Sequence, residues 1–194
     1  NALHDGLAEN SENAWLYNDR GMLHQAFSMP GPALRDFSNG LKVATHDSVK
    51  NVLWLNQAHT KSSIREFDEA YEILQKCYQY DSTDLGTLNN LAMVCDEVGK
   101  PEMTEYYLLK IVSVDSTFFL GYVNLGFMYQ GREEYEKSID FFDKALEICI
   151  DNIDCIAFCA GTHNEKSTFY LTQLMQERNI ENNHPNIYFA QLYG

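Results

Sequence analysis

Residues 85–116 read LGTLNNLAMVCDEVGKPEMTEYYLLKIVSVDS, and the flanking sequence repeats their pattern. The stretch reads as two short amphipathic helices around a tight turn at Val98, Gly99, Lys100 and Pro101. A small residue in the first helix is answered by another, twelve positions on, in the second. The pairs are Gly21/Ala33, Ala58/Ala70, Ala92/Thr104, Gly126/Ser138 and, more weakly, Ala160/Thr172, at successive spacings of 37, 34, 34 and 34 residues. Asp47-Ser48, Asp81-Ser82 and Asp115-Ser116 mark the ends of three second helices at the same interval. A fixed period of this size is the mark of stacked repeats.

Helix crossing explains the small pairs. Two antiparallel helices joined by a short loop approach most closely at one point, and a small residue there lets the axes come within roughly 8–10 Å. Larger side chains fill the space around it: Leu91, Cys95 and Leu108 in the third unit, and Leu125, Tyr129, Phe142 and Ala145 in the fourth.

With these residues in place, the sequence resembles the tetratricopeptide repeat (TPR) family. Counted from the first residue of each repeat, that family favours a small residue at position 8, a Tyr-like one at 11, Ala at 20, a large apolar at 24, a small one at 27 and Pro at 32. The fourth unit, 119–150, matches best, through Leu125, Gly126, Tyr129, Ser138, Phe142 and Ala145. The second offers Trp54, Ala58, Ala70, Leu74 and Cys77, and the first Gly21, Ala33, Phe37 and Gly40. No unit has Pro at position 32, where Thr45, Ser82, Ser116 and Ile150 stand. The resemblance implies an all-α fold, a right-handed α-α solenoid of about four to five helix-turn-helix units. A polar lead-in (1–13) precedes repeats near 14–48, 51–82, 85–116 and 119–150. A degenerate fifth unit at 153–178 and a spacer with an apolar end at 179–194 follow. The expected helices are 14–27, 32–44, 49–60, 67–80, 85–98, 101–114, 117–130, 135–149, 153–163 and 166–178, with a last short helix at 187–193. Asn10 or Ser11 is the expected cap of the first helix, and Asp47 or Ser48 that of the third. Three extra residues in the first repeat are expected in its second helix or exit loop.

The resemblance also implies a groove lined by the first helix of each repeat. Its rows map to Trp15, Val52, Gly86 and Leu120; Asn18, Leu55, Asn89 and Val123; Met22, His59, Met93 and Phe127; and Gln25, Ser62, Asp96 and Gln130. Met and aromatic surfaces suit an apolar strand or amphipathic helix, and amides pair with an extended peptide backbone. The chaperone-binding members of the family hold a terminal carboxylate with Lys and Arg. Here Asn56, Asn90 and Asn124 recur, but Asn18 and Gly86 stand where Lys is wanted, so that reading is rejected.

Bulk composition narrows the partners. A hydrophobic fraction of 45% with 13% aromatics supports a continuous core. A net charge of −14 leaves no basic patch for nucleic acid or an anionic membrane. No apolar run approaches the ~20 residues that cross a bilayer, so no membrane insertion is expected. The five cysteines form no disulfide framework, which favours a reducing, cytoplasmic compartment. The chain opens on Asn1 rather than Met and is read as processed or trimmed; a periplasmic or envelope location is the alternative if a signal segment was removed.

Other chemistry is weakly supported. Cys155, Cys159 and His163 would form one helical stripe, with Cys149 nearby, that suits a soft metal or a redox site; core packing is the simpler reading. Asp96-Glu97 has no nucleophile or phosphate loop beside it. The expectation is therefore a non-enzymatic scaffold or adaptor that needs no cofactor and binds a protein or peptide in the groove. Self-association through 187–193, as in an envelope or secretion assembly factor, is a further alternative.

Overall fold

The computed structural model describes residues 10–156, 158–161 and 165–190. Helices α1 (Ala14–Ala26) and α2 (Pro30–Val43) form a first hairpin, and α3 (Asp47–Ser63) and α4 (Phe67–Tyr80) a second. Helices α5 (Leu85–Glu97) and α6 (Pro101–Val114) form a third, and α7 (Phe119–Gly131) and α8 (Tyr135–Asp151) a fourth. Strand β1 (Phe158–Gly161), helix α9 (Glu165–Glu177) and strand β2 (Ile187–Ala190) follow. Through α8 the architecture is the expected all-α series of helix-turn-helix repeats. The chain divides into two compact units, Asn1–Lys110 and Ile111–Gly194, with the boundary inside α6.

The small residues sit at closed crossings. Ala33, Ala58, Ala70 and Ala92 are essentially inaccessible. A Cβ on Gly21 would lie 2.4 Å from the Phe37 ring, and one on Gly126 would lie 2.6 Å from the Phe142 ring. The Ser138 hydroxyl donates to the Gly126 carbonyl at 2.9 Å, so helix meets helix almost backbone to backbone. The partner sixteen positions on varies with the small residue. Glycine faces phenylalanine in the first and fourth repeats (Gly21/Phe37, Gly126/Phe142). Alanine accompanies leucine in the second and third (Ala58/Leu74, Ala92/Leu108). One added methyl group is offset by one smaller side chain, as a close-packed interior requires.

The turns repeat as faithfully as the crossings. Ser28, Arg65, Gly99 and Glu133 all adopt positive φ, between 55° and 68°. After each, a backbone N–H reaches back five residues: Met29 to His24, Glu66 to Lys61, Lys100 to Cys95 and Glu134 to Tyr129, at 2.8–3.0 Å. This is the left-handed helix stop that satisfies orphan carbonyls. Glycine serves it only at Gly99.

Caps differ in part from expectation. Asn13, not Asn10 or Ser11, caps α1; its Oδ1 accepts from the Trp15 and Leu16 amides at 3.0 and 3.4 Å. Helix α3 begins after His46 without a side-chain cap, and Asp47 pairs with Lys50 at 2.8 Å inside its first turn. The three surplus residues of the first repeat lengthen the start of α3. That helix has 17 residues against 13 in α1, α5 and α7. Between hairpins, the carboxylates of Asp81 and Asp115 each accept from the backbone and hydroxyl of the threonine two residues on, Thr83 and Thr117.

The end of the chain departs from the helical expectation. Where helices were expected at 153–163 and 187–193, four residues of each form strands. They pair in parallel, Phe158 with Ile187 through Gly161 with Ala190. A short apolar run does not reveal by periodicity whether it is helix or strand. Here aromatic and β-branched residues, and Gly161 at the end, side with the strand. The parallel register requires a crossover, which α9 supplies. Ile150, Ile153, Leu171, Leu174, Met175 and Ile187 bury one another at this end, and the Asn186 side-chain amide donates to the Ile153 carbonyl at 2.7 Å.

Gly126→Ala is expected to cost about 1–3 kcal/mol, read by thermal or denaturant unfolding. Phe142→Leu in the same chain should recover most of that loss. Costs that simply add would contradict the compensation.

Candidate protein-binding site

Helices α1, α3 and α5 belong to the first unit, and their ends are fixed by the repeated turns. Consequently each presents a defined stripe. On α1, Trp15, Asp19 and Met22 are exposed at helical spacing, with Trp15 and Met22 each 49% accessible. On α5, Met93 is 58% accessible, beside exposed Asp96. On α3, His59 is exposed, while Val52 and Leu55 are half-buried. Asn89 is half-buried and donates to the Met93 thioether at 3.6 Å.

Two expected groove residues instead join α1 to α3. Asn18 is buried, at 4% accessibility, and its Oδ1 accepts from Asn56 Nδ2 at 2.8 Å. Gln25 Nε2 donates to the Asn56 carbonyl at 3.1 Å and to the Thr60 hydroxyl at 2.5 Å. An amide so engaged is a fastening between repeats. Sequence position alone gave no sign of this, because the partners lie more than thirty residues away.

The second unit carries its own stripe on α7. Leu120 and Phe127 are 45% and 60% accessible, Gln130 is exposed and Val123 is half-buried. The Phe127 ring meets Phe142 edge to face, 5.1 Å between centroids, and so is held from beneath. Large apolar groups left in water on regular helix faces are informative.

Charges in the first unit are mostly paired away from these stripes. Arg20 grips the buried Asp36 with two bonds, 2.9 and 2.5 Å, and the bond to that carboxylate raises the guanidinium's pKa. His24 Nδ1 lies 2.9 Å from Asp36 Oδ2, within ion-pair range but off the axis of a hydrogen bond. Lys61 binds both Glu66 and Glu69, which raises its pKa. On α4 and α6, Lys110 Nζ donates to the Tyr78 hydroxyl at 2.6 Å and holds that phenol below its usual range. Burial pushes neighbouring Tyr107 up to about 12.

The alternative metal stripe loses its premise. Phe158–Gly161 is a strand, so Cys155 and Cys159 do not share a helix; His163 lies outside the described residues. Among the described residues no cluster of His, Cys, Asp or Glu suits a metal ion, and no helix is long and apolar enough to cross a membrane. The expected docking segment at 187–193 is also altered. Ile187 is buried in the core, Ile187–Ala190 is a strand, and 191–194 lies outside the described residues.

Comparison with known proteins bears on the fold. A tetratricopeptide repeat model matches residues 52–84, and a proline dehydrogenase model matches residues 132–194. No curated protein matches the chain. Among solved structures, MamA is similar with a TM-score of 0.70 and 18% identity, over 79% of this chain and 88% of that one. YrrB, described as a TPR protein with an unusual peptide-binding site, has a TM-score of 0.64 and 14% identity, over 95% and 88%. PilF of Pseudomonas aeruginosa has a TM-score of 0.64 and 15% identity, over 90% and 79%. At such identities the likeness is one of fold.

Thiol chemistry separates core cysteines from a redox site. Burial raises the Cys95 and Cys149 thiols and pushes Cys77 up to about 12, whereas Cys155 is exposed. At pH 8, Cys155 should react with a thiol reagent in the native chain, with Cys77, Cys95 and Cys149 reacting only after unfolding. Rapid native labelling of those three would contradict the packing.

Proposed function

We propose that the chain, whose helix pairs through α8 repeat the tetratricopeptide pattern, works by protein–protein interaction, holding a partner segment against the exposed faces of its first-of-pair helices. The observation that carries this reading is the stripe of Trp15, Met22 and Met93. All three are large and apolar, about half or more in water, on helices whose other faces are packed. Leu55, His59 and Asn89 supply the shallower contacts; in the second unit, taken by itself, α7 has its own face of Leu120, Val123, Phe127 and Gln130. Asn18 and Gln25 set the spacing of the helices rather than touching the partner. Thioethers and an indole fit apolar side chains of varied shape, as in helix-in-groove recognition. No catalytic step and no cofactor enter this reading.

The test is quantitative capture of the partner by the purified chain. Trp15→Ala with Met93→Ala should weaken binding about tenfold or more, with the fold kept. Tyr80→Ala, on α4, should leave binding unchanged. A partner lost with Tyr80→Ala and kept by the double variant would move the site to the second-of-pair helices.

One observation favours a second reading for the end of the chain. The proline dehydrogenase match covers 132–194, and within it β1, α9 and β2 form a parallel strand–helix–strand unit that helical repeats do not make. In this reading the repeats lead into a segment of an α/β fold. Proline-dependent reduction of a redox dye by the purified chain would favour an active enzyme; no turnover above buffer would confine the match to architecture.

A further inference from the structure

The exposed apolar stripes of the first unit come with carboxylates. Asp19 stands between Trp15 and Met22 on the same face of α1, at i+4 from one and i−3 from the other. Asp96 follows Met93 by three positions on α5. Both carboxylates are exposed, and neither has a cationic partner among the described residues. Among the described residues Asp19 accepts only from the Asn18 side-chain amide, at 3.4 Å.

Arg35, Lys42 and Lys76 are exposed on the second-of-pair helices α2 and α4, and the unit's other Lys and Arg side chains are engaged. Arg20 is bound to Asp36, Lys50 to Asp47, Lys61 to Glu66 and Glu69, and Arg65 to Glu97. Lys100 lies over the Tyr71 ring, 4.4 Å from its centroid, and Lys110 bonds Tyr78. What α1 and α5 offer a partner is therefore thioether, indole and negative charge. The net charge of −14 reinforces this at a distance.

We propose that the occupant of the α1, α3 and α5 face is an amphipathic helix whose apolar side is flanked by lysine or arginine. The inference rests on the interaction reading above and adds the partner's chemistry. The partner's apolar side chains cover Trp15, Met22 and Met93. Its flanking cations sit beside Asp19 and Asp96, where a carboxylate-bearing flank is repelled. Charge complementarity of this kind sets specificity and approach rate more than it sets depth of binding.

Two synthetic helical peptides with one leucine face test it, one flanked by lysine and one by glutamate, titrated into the full chain at low and moderate salt. The lysine peptide should bind about tenfold more tightly or better at low salt and lose that margin as salt rises. Asp19→Asn with Asp96→Asn should remove most of the margin, while Trp15→Ala with Met93→Ala should weaken the lysine peptide at every salt concentration. Equal binding of the two peptides would overturn the charge inference and leave the groove reading standing. Binding of neither would overturn both. Lysine-peptide binding indifferent to all four substitutions would reduce the effect to the net charge and overturn the proposal.

Discussion

The closest approach of two helices in each hairpin governs the rest of this structure. At that point the chain tolerates only a small residue, and its size is balanced against the side chain sixteen positions on. Glycine accommodates the Phe37 and Phe142 rings; alanine goes with Leu74 and Leu108. The crossing fixes the rotation of each helix about its axis. That rotation decides which side chains are packed and which are left in water. Trp15, Met22 and Met93 are exposed for the same reason that Ala58 and Ala92 are buried.

The turns supply the second constraint. Four hairpins reverse through one left-handed residue, although only Gly99 is suited to it without strain. Ser28, Arg65 and Glu133 adopt the same conformation because the backbone bonds around it satisfy carbonyls that the helix end exposes. The geometry of the repeat thus outweighs local preference. Polar cross-links then join neighbouring repeats. Asn18, Gln25, Asn56 and Thr60 form such a link between α1 and α3, and their amides are spent on it.

Much of this was legible in the sequence, because a repeat states its own rules several times over. The period located the helix pairs, and the bounds of α4 and α6 coincide with those expected from it. What the period could not reach was less visible. Asn18 and Gln25 occupy groove positions by register, yet their partners on α3 draw them inward, a contact that no local pattern encodes. Asp19 lies outside the four groove rows, and its i, i+4 spacing from Trp15 is the sequence signal that sets it on the same face of α1. The helices expected at 153–163 and 187–193 failed for another reason. Their apolar runs are too short to show a period, and pairing between them, twenty-nine positions apart from Phe158 to Ile187, decided the outcome.

Recognition on the exposed faces of the first-of-pair helices has a direct physical signature. Hydroxyl-radical footprinting of the chain with and without its captured partner tests it most directly, since methionine and aromatic rings are the groups it reads. Trp15, Met22 and Met93 should lose reactivity in the complex while Tyr80 and Tyr106 keep theirs. Protection of Tyr80 and Tyr106, with Trp15, Met22 and Met93 as reactive as in the free chain, would contradict it.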